Sequence, residues 1–563
     1  MNQLTQSYLC GDADEPLIYD TIGSYFDDIS ERFADSDALI VRHQNVRWNY
    51  RTFRHEVDRL ATGLLALGIR PGDRVGIWGP NSYEWALTQF ATAKIGAIMV
   101  CINPAYRVFE LEYALNKVEC RALITAESFK SSNYLEMLTE LAPELSAANP
   151  HALQLEKLPA LEMIVRMGDD ASAGMLNFSH VCALGSEADA LRLQELKQQL
   201  QPDDPINIQF TSGTTGRPKG ATLTHCNILN NGYLVAKAMQ FTEQDRLCIP
   251  VPLYHCFGMV LGNLTCVSTG AAAIYPEAAF DPVSTLEAVQ QEHCTALHGV
   301  PTMFIAELDH PEFSRFDLSS LRTGVMAGAN CPEQVMRRVM ADMHMEHILI
   351  GYGQTELSPI NHITKPDDSL HNRIETVGRA VPRVEVKIAD EQGRVVPVGE
   401  KGEVCTRGYS VMRGYWNDEE KTRETIDAAG WLHSGDIGVM DEAGYVRIVG
   451  RTKDMVIRGG ENIYPREVEE FLYTHPKIQE AQVFGIPDER MGEEVCVWVK
   501  LKDGESMDAD ELRTWCKGKI THFKVPRHIE FVDSYPMTVT GKIQKFKMRE
   551  AMSELLNIPA DGC

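Results

Sequence analysis

Ten consecutive residues, Thr211-Ser212-Gly213-Thr214-Thr215-Gly216-Arg217-Pro218-Lys219-Gly220, hold the densest potential chemistry in the chain. Hydroxyl side chains, glycines and a lysine near the end of the run are what a polyphosphate group needs. The backbone N–H groups can turn inward, the donors are small, and one cation is mobile. The pattern is not the P-loop G-x-x-x-x-G-K-[ST]: Pro218 precedes the lysine and Gly220 follows it, so the hydroxyl that would ligate Mg2+ beside the lysine is missing. A solvent-exposed linker of the same composition is the alternative. Against it, residues 206–210 (Ile-Asn-Ile-Gln-Phe) alternate apolar and polar directly before the loop, which predicts a half-buried strand carrying it.

Five further clusters lie downstream. They are Pro252-Leu253-Tyr254-His255-Cys256-Phe257-Gly258; Gly351-Tyr352-Gly353-Gln354-Thr355-Glu356; Trp431-Leu432-His433-Ser434-Gly435-Asp436-Ile437-Gly438; Gly450-Arg451-Thr452-Lys453-Asp454 with Glu461-Asn462-Ile463-Tyr464-Pro465; and Thr540-Gly541-Lys542. Tyr352 offers a flat face for a purine at the end of an apolar run. Glu356, beside Thr355, is a hard carboxylate suited to holding Mg2+ against phosphate oxygens. Asp436 is a compact acceptor for a ribose diol, and Arg451 donates in a fork that lysine cannot match. Taken singly, Asp436 reads as a turn aspartate and Arg451 as a surface ion pair. In one ordered set they read as parts of a nucleotide site. The adjacent pairs His225-Cys226, His255-Cys256 and His293-Cys294 do not suggest a metal centre, because strand neighbours point to opposite faces and no spaced partner pair follows.

Together the six motifs resemble the ordered core motifs of the adenylate-forming (AMP-binding) superfamily: acyl- and aryl-CoA synthetases, nonribosomal adenylation domains and beetle luciferases. The resemblance runs from about Trp48 to Lys547. It implies an α/β fold, with a large N-terminal domain of layered sheets plus a distorted β-barrel, and a small mobile C-terminal α+β domain. It also implies the chemistry. An acid and ATP give acyl-AMP and pyrophosphate, and coenzyme A as co-substrate then displaces AMP, with Mg2+ assisting. No protein nucleophile is needed; the enzyme positions groups and offsets developing charge.

On this chain the resemblance assigns ATP and AMP binding to Thr211, Ser212, Gly213, Thr214, Thr215, Gly216, Arg217, Pro218, Lys219, Gly328, Ala329, Tyr352, Gln354, Asp436 and Arg451. It makes Lys542, His255 and Thr355 catalytic, Lys542 contacting the carboxylate and the bridging oxygen during adenylation and His255 serving as a gate beside the acid. Glu356 becomes the Mg2+ ligand and Lys453 the pivot between residues 1–451 and 452–563. Gly459 and Gly460 line the passage for the pantetheine arm, although a plain hairpin turn fits them as well. The acyl pocket falls to His298, Gly299, Val300 and Gly324. Lys524 and Arg527 are candidates for the nucleotide end of CoA, but Val525 stands where some relatives have an arginine. The segment Ile102-Asn103-Pro104-Ala105-Tyr106-Arg107 and the glycine-rich pocket look most like the medium-chain fatty acyl-CoA synthetase branch.

The elements that must position these residues are legible in outline. Residues 83–91 show helical spacing and residues 95–102 read as a buried strand. Short apolar runs at 246–251, 321–327 and 347–351 continue an α/β alternation. Residues 141–204 are polar and read as surface. Beyond Gly450 the chain reads as a compact α+β unit, with a helix around Val468, Phe471 and Leu472 and a strand at 495–501.

With 563 residues more than one domain is expected. A net charge of −25 disfavours nucleic acid and anionic membranes as partners, so an anionic substrate must find locally basic ground. The absence of a C-x-x-C pair, a basic leader or a long apolar run points to reduced thiols and a cytoplasmic setting. The resemblance also allows a homodimer. Two rival readings stay open: an acyl-AMP ligase loading a carrier protein, and a non-catalytic nucleotide-sensing protein on the same fold.

Overall fold

The computed structural model describes residues 3–211, 218–329, 331–458, 461–488, 490–517, 519–538, 543–556 and 558. Contacts divide the chain into two units. The larger comprises Cys10–Glu385 and Thr406–Leu432; the smaller comprises Met1–Leu9, Val386–Cys405 and His433–Cys563. The smaller unit is therefore discontinuous in sequence.

The larger unit holds two main sheets. In the first, Leu176–Asn177, Met163–Arg166, Ala122–Thr125, Arg74–Trp78, Ile98–Cys101 and Pro205–Thr211 run parallel in that spatial order. Lys219–Thr224 and the short edge strand Gly414–Tyr415 then add antiparallel. The parallel strands are nearly continuous apolar runs because both faces are covered: every residue of Ile98–Cys101 and of Ala122–Thr125 is buried. In the second sheet His347–Gly353, Thr323–Met326, Ala296–Leu297, Arg246–Cys248, Ala272–Tyr275 and Asp37–Val41 are parallel, with antiparallel strands at both edges.

Two expectations need correcting. Residues 95–102 are not one strand. The helix Tyr83–Ile95 runs to its end at Gly96, whose φ of 71° is the left-handed conformation that closes helices, and the strand is Ile98–Cys101. Nor does 141–204 lie wholly on the surface. Met163–Arg166 is buried within the first sheet, and Leu145, Leu153, Leu155, Leu158 and Leu161 pack into its core. The polar composition belongs to the helix Glu187–Gln199, where only Leu196 is buried.

In the smaller unit, Leu432–Met440 and Val446–Arg451 pair antiparallel. A separate sheet orders Glu461–Ile463, Val456–Arg458, Gly492–Leu501 and Ile478–Asp488, with His528–Phe531 parallel to Gly492–Leu501. The helix Pro465–Tyr473 starts with proline at its first turn and turns Val468 and Leu472 into a core with Val483 and Val497.

Candidate active site

The hydroxyl- and glycine-rich loop joins two paired strands. Thr211 closes Pro205–Thr211 and Lys219 opens Lys219–Thr224, and the two residues are register partners. Residues Ser212, Gly213, Thr214, Thr215, Gly216 and Arg217 lie outside the described residues. The strands deliver the loop's two ends to one place. Thr211 Oγ1 donates to Glu356 Oε1 at 3.0 Å, Tyr415 OH donates to the same oxygen at 2.8 Å, and Lys219 Nζ donates to Tyr415 OH at 3.0 Å. Pro218, next to the lysine, accepts from Tyr113 OH at 3.3 Å. Glu356 comes from the second sheet: His347–Gly353 leads into the one-turn helix Thr355–Leu357, and the backbone carbonyl of Glu356 accepts from Met412 N–H at 2.9 Å. Burial, reinforced by the Glu356 carboxylate, pushes the Tyr415 phenol far above its ordinary value, so it keeps its proton.

Tyr352 sits at the end of the same strand. Its ring lies 5.7 Å from that of His362, its register partner on Ile360–Ile363. Gln354 is held by its N–H, which donates to Pro359 O at 2.9 Å, and Thr355 O accepts from Ser358 N–H at 3.1 Å. Gly328, with φ 85°, has Val300 as the neighbour a Cβ would meet, so one residue expected at the nucleotide and one expected at the acyl group stand side by side. Ala329 follows it and is exposed.

The other residues that the resemblance assigns to the acyl pocket are strongly constrained. His298 is fully buried. Its Nδ1 accepts from Val325 N–H at 3.1 Å, which leaves the proton on Nε2 to donate to Leu261 O at 2.9 Å. Burial, opposed by backbone hydrogen bonds to Leu261 and Leu297, lowers its pKa to about 4. The ring is thus neutral near pH 7 with both nitrogens engaged by backbone. Gly299 has no room for a side chain against the Phe304 ring, and a Cβ on Gly324 would overlap the Leu297 carbonyl; both glycines permit close strand packing. His255 is only half-buried, caps the short helix Cys256–Gly258 and lies 4.1 Å from the Tyr254 ring.

Cys256 N–H donates to Gln209 Oε1 at 3.0 Å. Sequence reasoning missed Gln209. It stands two residues before Thr211, so one strand carries both the phosphate loop and the anchor of the His255–Cys256 turn. Tyr415 was missed as well. The only local sign of either was a polar residue in an apolar strand and a tyrosine after a glycine.

Within the smaller unit, Asp436 and Arg451 are register partners, joined Nε to Oδ1 at 2.8 Å. The strand just before Asp436 is fixed by Glu403, whose two oxygens take Gly435 N–H at 2.9 Å and His433 Nδ1 at 2.7 Å. Cys405 joins Glu403 and His433 in the one group of metal-ligating side chains found among the described residues. Lys453 is exposed in the one-turn helix Thr452–Asp454. Lys524 pairs with Glu467, which also takes Lys401; burial alone would raise that carboxyl, but the two lysines hold it below its usual range. Arg527 pairs with Glu494 at 3.0 Å. Gly459, Gly460 and Lys542 lie outside the described residues.

The strand–loop–strand hairpin seats Thr211 directly on Glu356 and links Lys219 to the same carboxylate through Tyr415, an arrangement that fits an adenylate-forming enzyme. The chain matches the AMP-binding enzyme family over residues 26–416 and the AMP-binding enzyme C-terminal domain over residues 467–542, and it belongs to that family. It is 50% identical over 544 residues to the putative acyl-CoA synthetase YngI of Bacillus subtilis (strain 168), covering 96% of this chain and 99% of that one. It is 46% identical over 558 residues to the medium-chain acyl-CoA ligase ACSF2, mitochondrial, of Danio rerio, covering 99% and 92% respectively. Among solved structures it resembles the anthranilate CoA ligase AuaEII in complex with anthranoyl-AMP, with a TM-score of 0.85 and 29% identity over 97% of this chain and 99% of that one.

Proposed function

We propose that this chain is an AMP-forming acyl-CoA ligase acting on medium-chain fatty acids. The observation that carries the reading is the convergence of Thr211 and Lys219, from opposite ends of the phosphate loop, on Glu356 and Tyr415. The substrate carboxylate oxygen attacks the α-phosphorus of ATP and pyrophosphate leaves. The CoA thiolate then attacks the acyl carbon and AMP leaves. Lys219 and the loop hydroxyls hold the β- and γ-phosphates, Tyr352 stacks on the adenine, and Asp436 with Arg451 grips the ribose. Gly328, Ala329 and Gln354 line the nucleotide, Thr355 adds a hydroxyl near the phosphates, and His255 gates the acid.

Mg2+ fits Glu356. Among the described residues both hydroxyl donors fall on Oε1, which leaves Oε2 as a hard oxygen donor for a cation. When bound, the ion offsets charge on the phosphate oxygens. Lys542 acts in the first step, and residues after 452 turn about Lys453 for the second, with Gly459 and Gly460 along the thiol passage and Lys524 and Arg527 near the CoA nucleotide. The buried apolar side chains of Val300 and Phe304, and the medium-chain acyl-CoA ligase ACSF2 relatives, support a fatty acid over an amino acid. A cytoplasmic setting is supported by cysteines that, among the described residues, form no disulfide. Among the described residues no helix is long and apolar enough to cross a membrane.

The test is a panel of short-, medium- and long-chain fatty acids and aromatic acids, scored for pyrophosphate release and thioester formation with and without CoA. Acid-dependent pyrophosphate release that turns over only with CoA, greatest for medium chains, is expected. No acid-dependent release from any acid would overturn the reading. Release without CoA thioester, restored by a carrier protein, would replace the acceptor.

A further inference from the structure

Tyr415 stands between a cation and an anion that face the same substrate. An ammonium only donates and a carboxylate only accepts, so the direction of both hydrogen bonds is forced: Lys219 donates to the phenol oxygen, and the phenol proton goes to Glu356. The two charges are thereby held within about 6 Å of each other yet apart, in a place where Tyr415 and Glu356 are both buried and attraction is poorly screened. We propose that the Tyr415 hydroxyl is a positioning group that prevents a direct Lys219–Glu356 ion pair, keeping the lysine for the nucleotide phosphates and the carboxylate for the divalent cation. The proposal rests on the ATP-dependent reaction above.

The backbone around Tyr415 suits a fixed spacer. Its N–H donates to Thr422 Oγ1 at 2.9 Å, it pairs with Ala221 on the strand that begins at Lys219, and the next N–H, of Trp416, donates to Gly220 O at 2.7 Å. Met412 N–H holds the Glu356 carbonyl from the same segment. One short stretch thus fixes the distance between the phosphate-loop strand and the turn bearing the carboxylate. The Lys219 Nζ also lies 4.2 Å from the centre of the Tyr415 ring. Tyr415→Phe therefore keeps the volume and the cation–π contact and removes only the hydroxyl. Without it, a rotamer change of Lys219 would join the two charges, drawing the lysine off the phosphates and supplying Glu356 with a competing cation.

The experiment is a double-mutant cycle read by calorimetric titration of ATP at varied Mg2+, beside half-reaction assays. In Tyr415→Phe the Mg2+ concentration needed for tight ATP binding should rise about tenfold, as expected when a direct Lys219–Glu356 ion pair must be broken before the cation can bind. Thioester formation from synthetic acyl-AMP should stay within twofold of wild type. In the Lys219→Ala background, where no lysine can collapse onto Glu356, the same substitution should shift the Mg2+ requirement less than twofold. Equal shifts in both backgrounds, or no shift in either, would overturn the proposal. A parallel loss of the thioester step would make Tyr415 a packing residue only. If wild type binds Mg2+ and ATP but releases no pyrophosphate with any acid, the reaction proposed above fails while the spacer role is still decided by the titration. If wild type binds no ATP, both fall.

Discussion

Asp436 and Arg451 oppose each other on antiparallel strands, with Arg451 Nε 2.8 Å from Asp436 Oδ1 and the carboxylate nearly buried, at 5% side-chain exposure against 35% for the arginine. The ion pair sets the orientation of a carboxylate that would otherwise rotate, and the strand just before it is tied down by Glu403. A ribose diol needs such a fixed pair of oxygens. Asp436→Ala should therefore raise the KM for ATP about tenfold or more, in line with losing hydrogen bonds to a charged group. Arg451→Lys should cause a smaller rise, because lysine keeps the charge but not the fork. Steady-state kinetics with ATP as the varied substrate check both. An unchanged KM in Asp436→Ala would leave the pair a purely structural bridge.

Three histidines carry a pH dependence. His225, His298 and His362 are fully buried, and burial lowers their pKa values to about 3, about 4 and about 3. Each folded-state value lies below that of the unfolded chain, near 6.5. Between about pH 6.5 and pH 4 the unfolded state therefore binds more protons, and stability falls as pH drops, by about 1.4 kcal/mol per pH unit for each histidine fully within that window. His362 is the informative one, since among the described residues neither of its ring nitrogens has a hydrogen-bond partner. His362→Leu should flatten the decline of the denaturation midpoint with falling pH by about one proton's worth. A slope identical to wild type would show that His362 is not buried neutral.

How much of this was legible in the sequence depends on the range of the interaction. The strand before the phosphate loop was readable from alternation at 206–210, and the observed strand is Pro205–Thr211. The helix around Val468, Phe471 and Leu472 was readable from its spacing, and is Pro465–Tyr473. Local pattern failed where burial depends on distant partners. The leucines between 145 and 161 are spaced irregularly and look like surface until a strand at Met163–Arg166 gives them something to cover. Tyr415 could not be found from spacing, because it lies 59 residues from Glu356 and 196 from Lys219 and meets them only through sheet pairing and a turn. Three adjacent His–Cys pairs drew attention to metal binding, whereas the side chains that do approach one another, Glu403, Cys405 and His433, are brought together across neighbouring strands.

Lys453 is the next test. It is exposed in a one-turn helix between Arg451 and Met455, whose N–H donates to Arg451 O at 3.0 Å. Lys453→Pro fixes φ near −65° and removes a backbone donor, so it limits how far this turn can rearrange without removing any buried side chain. If the turn is a pivot, the two half-reactions should respond unequally, with adenylation and thioester formation differing by about tenfold or more in their loss. Separate assays of pyrophosphate release and of synthetic acyl-AMP consumption check this. Equal losses together with a lowered unfolding temperature would assign the turn a structural role alone.

The last prediction separates the two chemical steps at Lys542. During adenylation two anions must approach, the acid's carboxylate and the α-phosphate of ATP, and in the proposed role a single ammonium touching the carboxylate and the bridging oxygen would offset the charge that accumulates between them. Losing one donor of that kind typically costs about 10²–10³ in rate, by analogy with the removal of an oxyanion-hole donor. In the thioester step the electrophile is already activated, the leaving group is AMP, and the proposed turn at Lys453 carries Lys542 away from the reacting carbon. Lys542→Ala should therefore lose most acid-dependent pyrophosphate release. Given synthetic acyl-AMP and CoA, the same variant should still form thioester at close to the wild-type rate. Arginine at this position should restore little, since its planar fork cannot replace a compact charge between two oxygens. If both steps fall together in a folded variant, Lys542 serves no selective role in adenylation, and the assignment of separate conformations to the two half-reactions loses its chemical basis.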